Sequence, residues 1–216
     1  MTDYKKPDHW QQKAREEGYP ARSVYKLKEI DEKFSLFKAV LPTGSRLNGQ
    51  AGLNVLDIGA APGSWSLYVL RKMAAMKKKG ALVSVDLSPL SREFDKGLFD
   101  GGNFFFIQGD ITAAQTRETI LSKGAYSAII SDAAPATTGS RTVDAARSLA
   151  LAEEAANYAQ DALAEGGSLV VKVFQGGDSA ALLKRMKTLF ETAKSFKPQA
   201  CRGESVETYF IGIGKR

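Results

Sequence analysis

One lysine lies inside an otherwise apolar run of this chain, in "GGSLVVKVFQGG" (residues 166–177). Lys172 is flanked by four apolar residues, Val170, Val171, Val173 and Phe174. A run of β-branched residues between glycines is typical of a buried strand. An ammonium group there is costly unless it is paired or lies at the end of the strand. Because desolvation lowers the pKa of an amine, a buried lysine can also serve as a base. The stretch therefore predicts a buried strand that carries a functional lysine.

A glycine-bearing turn follows another apolar run, "LNVLDIG" (53–59), in the sequence "DIGAAPGSW". Gly59 and Gly63 permit a tight turn and a close approach of the backbone to a ligand, and the next residues read as a helix. The following predicted strand ends in Asp86, about 20 residues further on, where a ribose diol is usually bound. The turn lacks the third glycine of G-x-G-x-x-G, so a nicotinamide cofactor fits less well.

Two further aspartates end predicted strands. Asp110, in "QGDI", is placed to accept a hydrogen bond from an adenine amino group, or to cap the helix predicted to follow it. Asp132, in "SDAAP", either lies beside the ligand or only caps a turn. From position and spacing alone, both interpretations stay open for each residue.

Short apolar runs alternate with helical patterns through most of the chain. The predicted strands cover residues 53–59, 81–87, 104–110, 125–132, 166–177 and 207–214, and the predicted helices cover residues 22–34, 64–76, 142–167 and 179–193. Residues 41–52 read as a polar, glycine-bearing loop. This alternation predicts an α/β protein with a doubly wound, mostly parallel sheet. In such sheets ligands bind beyond the carboxyl ends of the strands, where the residues above are found.

Composition limits the class of protein. With 216 residues, 44% hydrophobic and 25% charged, the chain has the usage of a single globular domain. No run approaches the roughly 18 apolar residues of a membrane span, and we expect a cytoplasmic protein without a membrane partner. A single cysteine, Cys201, excludes an internal disulfide, and with one histidine, His9, a zinc site is not expected.

The net charge of +6 favours a polyanionic partner, and much of the positive charge lies near the N-terminus. Seven basic residues are interleaved there with three aromatic ones: Lys5, Lys6, Lys13, Arg15, Arg22, Lys26 and Lys28 with Trp10, Tyr19 and Tyr25. Basic and aromatic residues together suit phosphate contacts and base stacking. A solvated helical face explains the same pattern equally well.

Taken together, seven segments identify a resemblance: "RSVYKL", "LDIGAAPGSWS", "DLSP", "QGDI", "SDAAP", "VVKVFQG" and "CRGESVETY". From about residue 8 to its end, the chain resembles the FtsJ-type (RlmE) ribosomal RNA 2'-O-methyltransferases. The resemblance implies a Rossmann-like fold that binds S-adenosylmethionine, with seven strands of which the last is antiparallel. It also implies a single domain, residues 1–216, whose first 40 residues form a basic helical segment that contributes to RNA binding and to the active site.

The resemblance further implies the residues of the site. Its catalytic constellation, Lys-Asp-Lys-Glu, falls on Lys26, Asp132, Lys172 and Glu207, with Lys172 as the general base. Glu207 is preferred to Glu204 because the pattern R-x-x-S-x-E-x-Y falls on Arg202, Ser205, Glu207 and Tyr209. The implied cofactor residues are Gly59, Ala60, Ala61, Pro62, Gly63, Trp65, Asp86, Leu87, Asp110, Ile111 and Asp132. Pro20 stands where relatives often have an arginine, which concerns RNA docking and leaves the chemistry intact.

The expected reaction is 2'-O-methylation of a ribose, that of a uridine, in large-subunit ribosomal RNA, by a monomer that needs no metal. Three alternatives remain. One is methylation of a ribose in tRNA or in an RNA cap, and another is methylation of a base amino group. The second is disfavoured because "DAAPAT" lacks the Asn/Asp-Pro-Pro-aromatic pattern of that chemistry. A third is a catalytically silent ribosome-assembly protein, which the presence of all four catalytic residue types disfavours.

Overall fold

The computed structural model describes residues 9–38, 52–176 and 178–216. Its helices are α1 (His9–Glu16), α2 (Val24–Phe34), α3 (Ser64–Ala75), α4 (Ala114–Lys123), α5 (Arg141–Ala162) and α6 (Ser179–Leu189), with a short 3₁₀ helix at Leu98–Asp100. Its strands are β1 (Val55–Ile58), β2 (Leu82–Asp86), β3 (Phe104–Gln108), β4 (Tyr126–Ser131), β5 (Leu163–Phe174), β6 (Phe190–Phe196) and β7 (Glu207–Lys215). In this part of the chain no helix is both long and apolar enough to cross a membrane.

The seven strands form one sheet in the order β3-β2-β1-β4-β5-β7-β6. Neighbours from β3 to β5 are parallel, whereas β7 runs antiparallel to both β5 and β6. The predicted fold class, a doubly wound sheet with an antiparallel last strand, is confirmed. The chain winds outward from β1 to β3 and returns to β4 beside β1. This reversal opens a crevice beyond the carboxyl ends of β1 and β4.

Helices cover both faces of the sheet, and alternate residues of each strand enter different apolar layers. On one face Val55 and Val170 pack with residues of α1, α2 and α3. On the other, Leu56 and Val171 pack with residues of α4, α5 and α6. Strand residues point alternately to the two faces of a sheet. Lys172 therefore shares its face with Val170 and lies on the side of α2 and α3.

The structure corrects two boundaries of the sequence prediction. The predicted helix 142–167 ends at Ala162, and β5 already begins at Leu163. The pairing of β4 with β5 shifts between Tyr126 and Ala128, and Gly166 has φ = +74°, so the first residues of β5 are irregular. This irregular start hides the strand from a search for regular alternation.

The second correction concerns a strand that the sequence prediction missed. Residues 190–193 were assigned to the end of a helix, but α6 stops at Leu189 and β6 follows directly. β6 is an edge strand that pairs only with β7, and most of its side chains reach solvent. Such a strand has a weak apolar pattern. The predicted loop 41–52, except for Gly52, and the first eight residues lie outside the described residues.

Candidate active site

Lys172 and Asp132 meet where β4 and β5 end side by side. The Lys172 Nζ donates to the backbone oxygen of Asp132 at 2.5 Å and lies 3.0 Å from Asp132 Oδ1. The lysine is buried, with 7% of its surface exposed, between two fully buried valines. The cost of burying its charge is offset because the ammonium group is paired and hydrogen bonded.

Lys26 and Glu207 form a second pair beside the first. Lys26 lies in the first turn of α2, and its Nζ is 2.8 Å from Glu207 Oε1 and 2.9 Å from Oε2. Burial opposes the charge on Lys26, but Asp132 and Glu207 outweigh it and raise the pKa of Lys26. Lys26 is therefore a permanent cation at neutral pH.

The pairing of β5 with β7 explains why these residues converge. Lys172 lies opposite Tyr209, and Phe174 lies opposite Glu207. Directly opposed residues share a face, as do residues two apart along a strand. Lys172, Tyr209 and Glu207 therefore point to the same side of the sheet, toward α2 and its lysine.

Asp132 is the centre of the cluster. Its burial favours the neutral acid, yet Lys172, Lys26 and a hydrogen bond from Tyr209 outweigh burial and lower the pKa of Asp132. The Tyr209 hydroxyl donates to Asp132 Oδ1 at 2.7 Å, and the same aspartate and burial raise the pKa of Tyr209 well above its usual value. Asp132 is thus ionised and Tyr209 protonated. Two cations and two carboxylates leave the buried cluster nearly neutral.

A cleft of about 590 Å³ opens beside this cluster, beyond the ends of β1, β2 and β4. Seven of the predicted cofactor residues line it: Gly59, Ala61, Asp86, Leu87, Asp110, Ile111 and Asp132. Gly59 has φ = +75°, and a Cβ built on it would lie 2.5 Å from the Cα of Ala133. Only glycine fits at this point, where the backbone forms the floor of the cleft.

Four predicted cofactor residues do not line the cleft: Ala60, Pro62, Gly63 and Trp65. Trp65 differs most from expectation. Its indole is 2% exposed, packs 6.0 Å from the ring of Tyr209, and donates its N–H to the Ser23 carbonyl at 2.9 Å. The side chain is held inside the core because α3 turns it toward α2, an orientation that a linear motif does not contain.

Asp86 and Asp110 present carboxylates to the cleft from the ends of β2 and β3. Asp86 accepts hydrogen bonds from the N–H groups of Ala61 (2.9 Å) and Ser88 (2.8 Å), which fix its orientation. Asp110 accepts from the N–H and hydroxyl of Thr112, both at 2.8 Å, and these bonds lower its pKa. The alternative of a helix cap is wrong for Asp110, since α4 begins only at Ala114 and Ala113 precedes it.

The structure adds residues to the site that the sequence did not reveal. Arg147, Ala150 and Leu151 of α5 also line the cleft. The sequence gives no sign of this role, because these residues belong to a long predicted helix and to none of the motifs. Tyr209 ends the motif "CRGESVETY", and the motif by itself indicates no role for it. Its hydrogen bond to Asp132 depends on the register of β5 and β7.

The N-terminal aromatic residues differ from the stacking surface considered above. Tyr19 and Tyr25 are 6% and 5% exposed and belong to the core. Lys28 lies over both of their rings, at 4.8 and 4.9 Å from the centroids, and Lys13 lies 5.2 Å from that of Tyr25. Since the rings are covered by the protein's own lysines, these two tyrosines are not free to stack on bases.

Among the residues described, no group of three or more His, Cys, Asp or Glu side chains could hold a metal ion. The reversal of the sheet order, the glycine turn and the carboxylates at the strand ends define the class: a Rossmann-like methyltransferase fold. Residues 19–215 match the FtsJ-like methyltransferase family.

Relatives extend this match over nearly the whole chain. "Ribosomal RNA large subunit methyltransferase E" of Treponema denticola is 49% identical over 210 residues, covering 97% of this chain and 96% of the relative. The protein of the same name from Borrelia garinii subsp. bavariensis is 44% identical over 205 residues, 95% of each chain. A solved ribosomal RNA methyltransferase from Plasmodium falciparum shares the fold, with a TM-score of 0.71 and 24% identity over 91% of this chain and 98% of its own.

The chain therefore belongs to the FtsJ-like methyltransferase family. It is an enzyme, and its methyl donor is S-adenosylmethionine. The cleft fits S-adenosylmethionine in three respects. At Gly59 the backbone lies where no Cβ could be accommodated, and the carboxylates of Asp86 and Asp110 can accept from hydroxyl and amino groups. Val85, Leu87 and Leu151 add apolar surface. The predicted family, reaction class and cofactor are confirmed.

Proposed function

We propose that this enzyme methylates the ribose 2'-oxygen of a uridine in large-subunit ribosomal RNA. The observation that carries the chemistry is the buried cluster of Lys26, Asp132, Lys172 and Glu207, of which Asp132 also lines the cleft. The relatives' names supply the class of RNA. The net charge of +6 suits a polyanionic substrate.

In this proposal the carboxylates of Asp86 and Asp110 hold the cofactor. Asp86 accepts the ribose hydroxyls, because each carboxylate oxygen keeps a lone pair beyond its bond to a backbone N–H. Asp110 accepts from the adenine amino group, and Leu87, 68% exposed, offers an apolar surface at the rim of the cleft. When bound, the cofactor supplies a methyl group already activated by its positive sulfur.

The protein's own task is then to align the ribose hydroxyl and to remove one proton. Lys172, in its neutral form, would take the hydroxyl proton on Nζ, and the ribose oxygen would then accept the methyl group that the bound cofactor would supply. Lys26 cannot serve as this base, since its neighbours raise its pKa and keep it charged. Lys26 and Glu207 orient the ribose. Asp132 stabilises the protonated form of Lys172 through their ion pair.

We also propose that residues 1–216 form one domain, that residues 1–40 contribute to RNA binding, and that the protein works as a monomer in the cytoplasm. Both faces of the single sheet are covered by helices from one chain, which supports a single folding unit. α2 brings Lys26 into the cluster, which supports a role of the N-terminal segment in the site.

Methyl transfer from labelled S-adenosylmethionine tests the proposal. The substrates are large ribosomal subunits, free ribosomal RNA and tRNA from a strain that lacks this gene. We expect label in the large subunit, and a single 2'-O-methylated ribose that resists alkaline cleavage. Label on tRNA would replace the proposed substrate, label on a base would overturn the cluster's role, and no label on any RNA would favour a binding protein.

A further inference from the structure

Ser64 joins the cofactor turn to the segment that leads into α2. It follows Gly63 directly, is 1% exposed, and forms a reciprocal pair of hydrogen bonds with one residue. The Ala21 N–H donates to Ser64 Oγ at 2.8 Å, and the Ser64 hydroxyl donates to the Ala21 carbonyl at 3.1 Å. A single buried hydroxyl thus satisfies both backbone groups of Ala21, 43 positions away in the sequence.

The rest of α3 holds the same segment, residues 17–23, which we call the lead-in segment. Trp65 Nε1 donates to the Ser23 carbonyl, and Arg71 donates to the carbonyls of Glu17 and Gly18 at 3.1 and 2.8 Å. The Ser23 carbonyl also accepts the N–H of Lys26 at 3.1 Å. The position of Lys26 is therefore connected through one carbonyl to α3.

At its other end, Ser64 adjoins the turn that forms the cleft. The Gly63 N–H donates to the Ala60 carbonyl at 2.7 Å, and the neighbouring Ala61 N–H is bonded to Asp86. Gly59 and Ala61 line the cleft, whereas Ser64 does not. A displacement of the turn by a bound cofactor has a direct route through Ser64 to the lead-in segment.

We propose that Ser64 is a positioning residue that couples occupancy of the cofactor cleft to RNA binding and to the placement of Lys26. This inference rests on the proposed function and goes beyond it, because Ser64 touches neither the cleft nor the cluster. Coupling between two sites requires a physical element that both of them bias, and it must act equally in both directions. The reciprocal hydrogen bonds of Ser64 with Ala21 supply the direct physical connection that such coupling needs.

The test measures the affinity for large ribosomal subunits from the deletion strain, with and without saturating S-adenosylhomocysteine, the non-reactive product. In the wild type we expect the product to change RNA affinity at least about fivefold, the lower end of typical coupling. RNA must change product affinity by the same factor. In Ser64→Ala we expect both ratios to fall below about twofold, while product affinity without RNA stays within about twofold of the wild type.

Two further variants separate positioning from loss of a buried hydroxyl. Ser127 is also buried, and its hydroxyl donates to the Asn54 carbonyl at 2.9 Å, at the start of β4 and away from the carboxyl-end cleft. Ser127→Ala is expected to keep the wild-type ratio. If Ser64→Ala does not fold, Trp65→Phe tests the same connection, since it keeps a buried aromatic ring but removes the N–H that donates to Ser23, together with part of the indole. Its ratio must fall as well.

An unchanged ratio in Ser64→Ala, or in Trp65→Phe, would overturn the inference, as would a wild-type ratio of one. The inference can fail while the proposed function holds, because methylation of the large subunit by the wild type does not depend on coupling. Conversely, a wild type that binds no large-subunit RNA would reject the proposed function itself.

Discussion

In the proposed reaction, the two buried lysines of the cluster have different roles. Lys26 is held as a cation by Glu207 and Asp132, whose charges raise its pKa. Lys172 lies on β5 and forms an ion pair with the same Asp132. The proposed roles of the two lysines therefore have to be separated by experiment, one variant at a time.

Replacing Lys172 tests its role as the base. We expect Lys172→Ala to lower single-turnover methylation by about 10²- to 10⁴-fold, the usual range for loss of a general base, with cofactor affinity nearly unchanged. Lys172→Arg should not restore the rate, because a guanidinium group stays protonated. Lys215→Ala is the matched control: that lysine lies at the far end of β7 and donates to Gln160 and Leu163 carbonyls. A near-normal rate in Lys172→Arg would show that another group accepts the proton of the ribose hydroxyl.

A second residue-scale feature is Asp57, a fully buried carboxylate in β1. Ser66 donates to its Oδ2 at 2.6 Å, but its Oδ1 has no partner among the groups described. Burial raises the pKa of Asp57 to about 7, the hydrogen bond from Ser66 opposes this, and the charges of Asp132 and Asp86 add to it.

This raised pKa predicts how stability depends on pH. The folded state keeps the proton of Asp57 up to about pH 7, whereas the unfolded chain loses it near 3.8, so its contribution to stability falls as the pH rises between these values. We expect Asp57→Asn to gain on the order of 2–3 kcal/mol relative to wild type between pH 5 and pH 8. Urea unfolding of both proteins at the two pH values measures it, and a pH-independent difference would show that Asp57 is ionised throughout.

At the scale of elements, the turn between β1 and α3 combines a conformational and a steric requirement. Gly59 needs a positive φ, and the space of its missing Cβ is occupied by the backbone of Ala133, which follows β4. Two chain segments are thus in direct contact along the cleft, and they can approach because Gly59 carries no side chain.

Gly59→Ala should therefore cost more than strain alone. A left-handed conformation costs a non-glycine residue about 1–2 kcal/mol, and displacing packed backbone adds about 1–3 kcal/mol. Gly139 is the matched control, since it has φ = +85° but open space around its Cβ position. We expect Gly59→Ala to lose more stability than Gly139→Ala in urea unfolding and, by calorimetry, at least tenfold in cofactor affinity. Equal losses in the two variants would show that the contact with Ala133 is unimportant.

For the whole molecule, the net charge of +6 predicts that RNA binding weakens as salt rises. Each phosphate contact contributes about 0.7–0.9 to the slope of log affinity against log salt. Changing both Lys5 and Lys6 to Gln should reduce that slope by about 1–2, with cofactor affinity unchanged. The control changes Lys184 and Lys187 to Gln on α6, on the other face of the sheet from α2, and should leave the slope unaltered. Equal slopes for the wild type and the Lys5/Lys6 variant would show that these two lysines do not contact the RNA phosphates.

Much of the architecture follows from local pattern. The alternation of apolar runs with helical periods specified the parallel core of the sheet, and the positions of Gly59, Asp86, Asp110 and Asp132 at strand ends placed them at one cleft. These features could be predicted because periodicity and turn chemistry are local, and parallel strands end at a common edge. The edge strand β6 escaped prediction because exposure on an edge removes the apolar pattern.

The sequence by itself determined the class of sheet, the glycine turn and, through the likeness of its motifs, the four residues of the cluster. Only the tertiary structure decided how they are paired. Lys26 and Glu207 are 181 positions apart, and their contact depends on α2 packing beside β7. Packing on the sheet also buries Trp65, Tyr19 and Tyr25. The register of β5 and β7 gives Tyr209 its bond to Asp132, and the contact of α3 with the lead-in segment brings Ser64 to Ala21. Such contacts are invisible in the sequence, because hydrogen bonds between distant segments depend on orientation and register, which spacing along the chain does not encode.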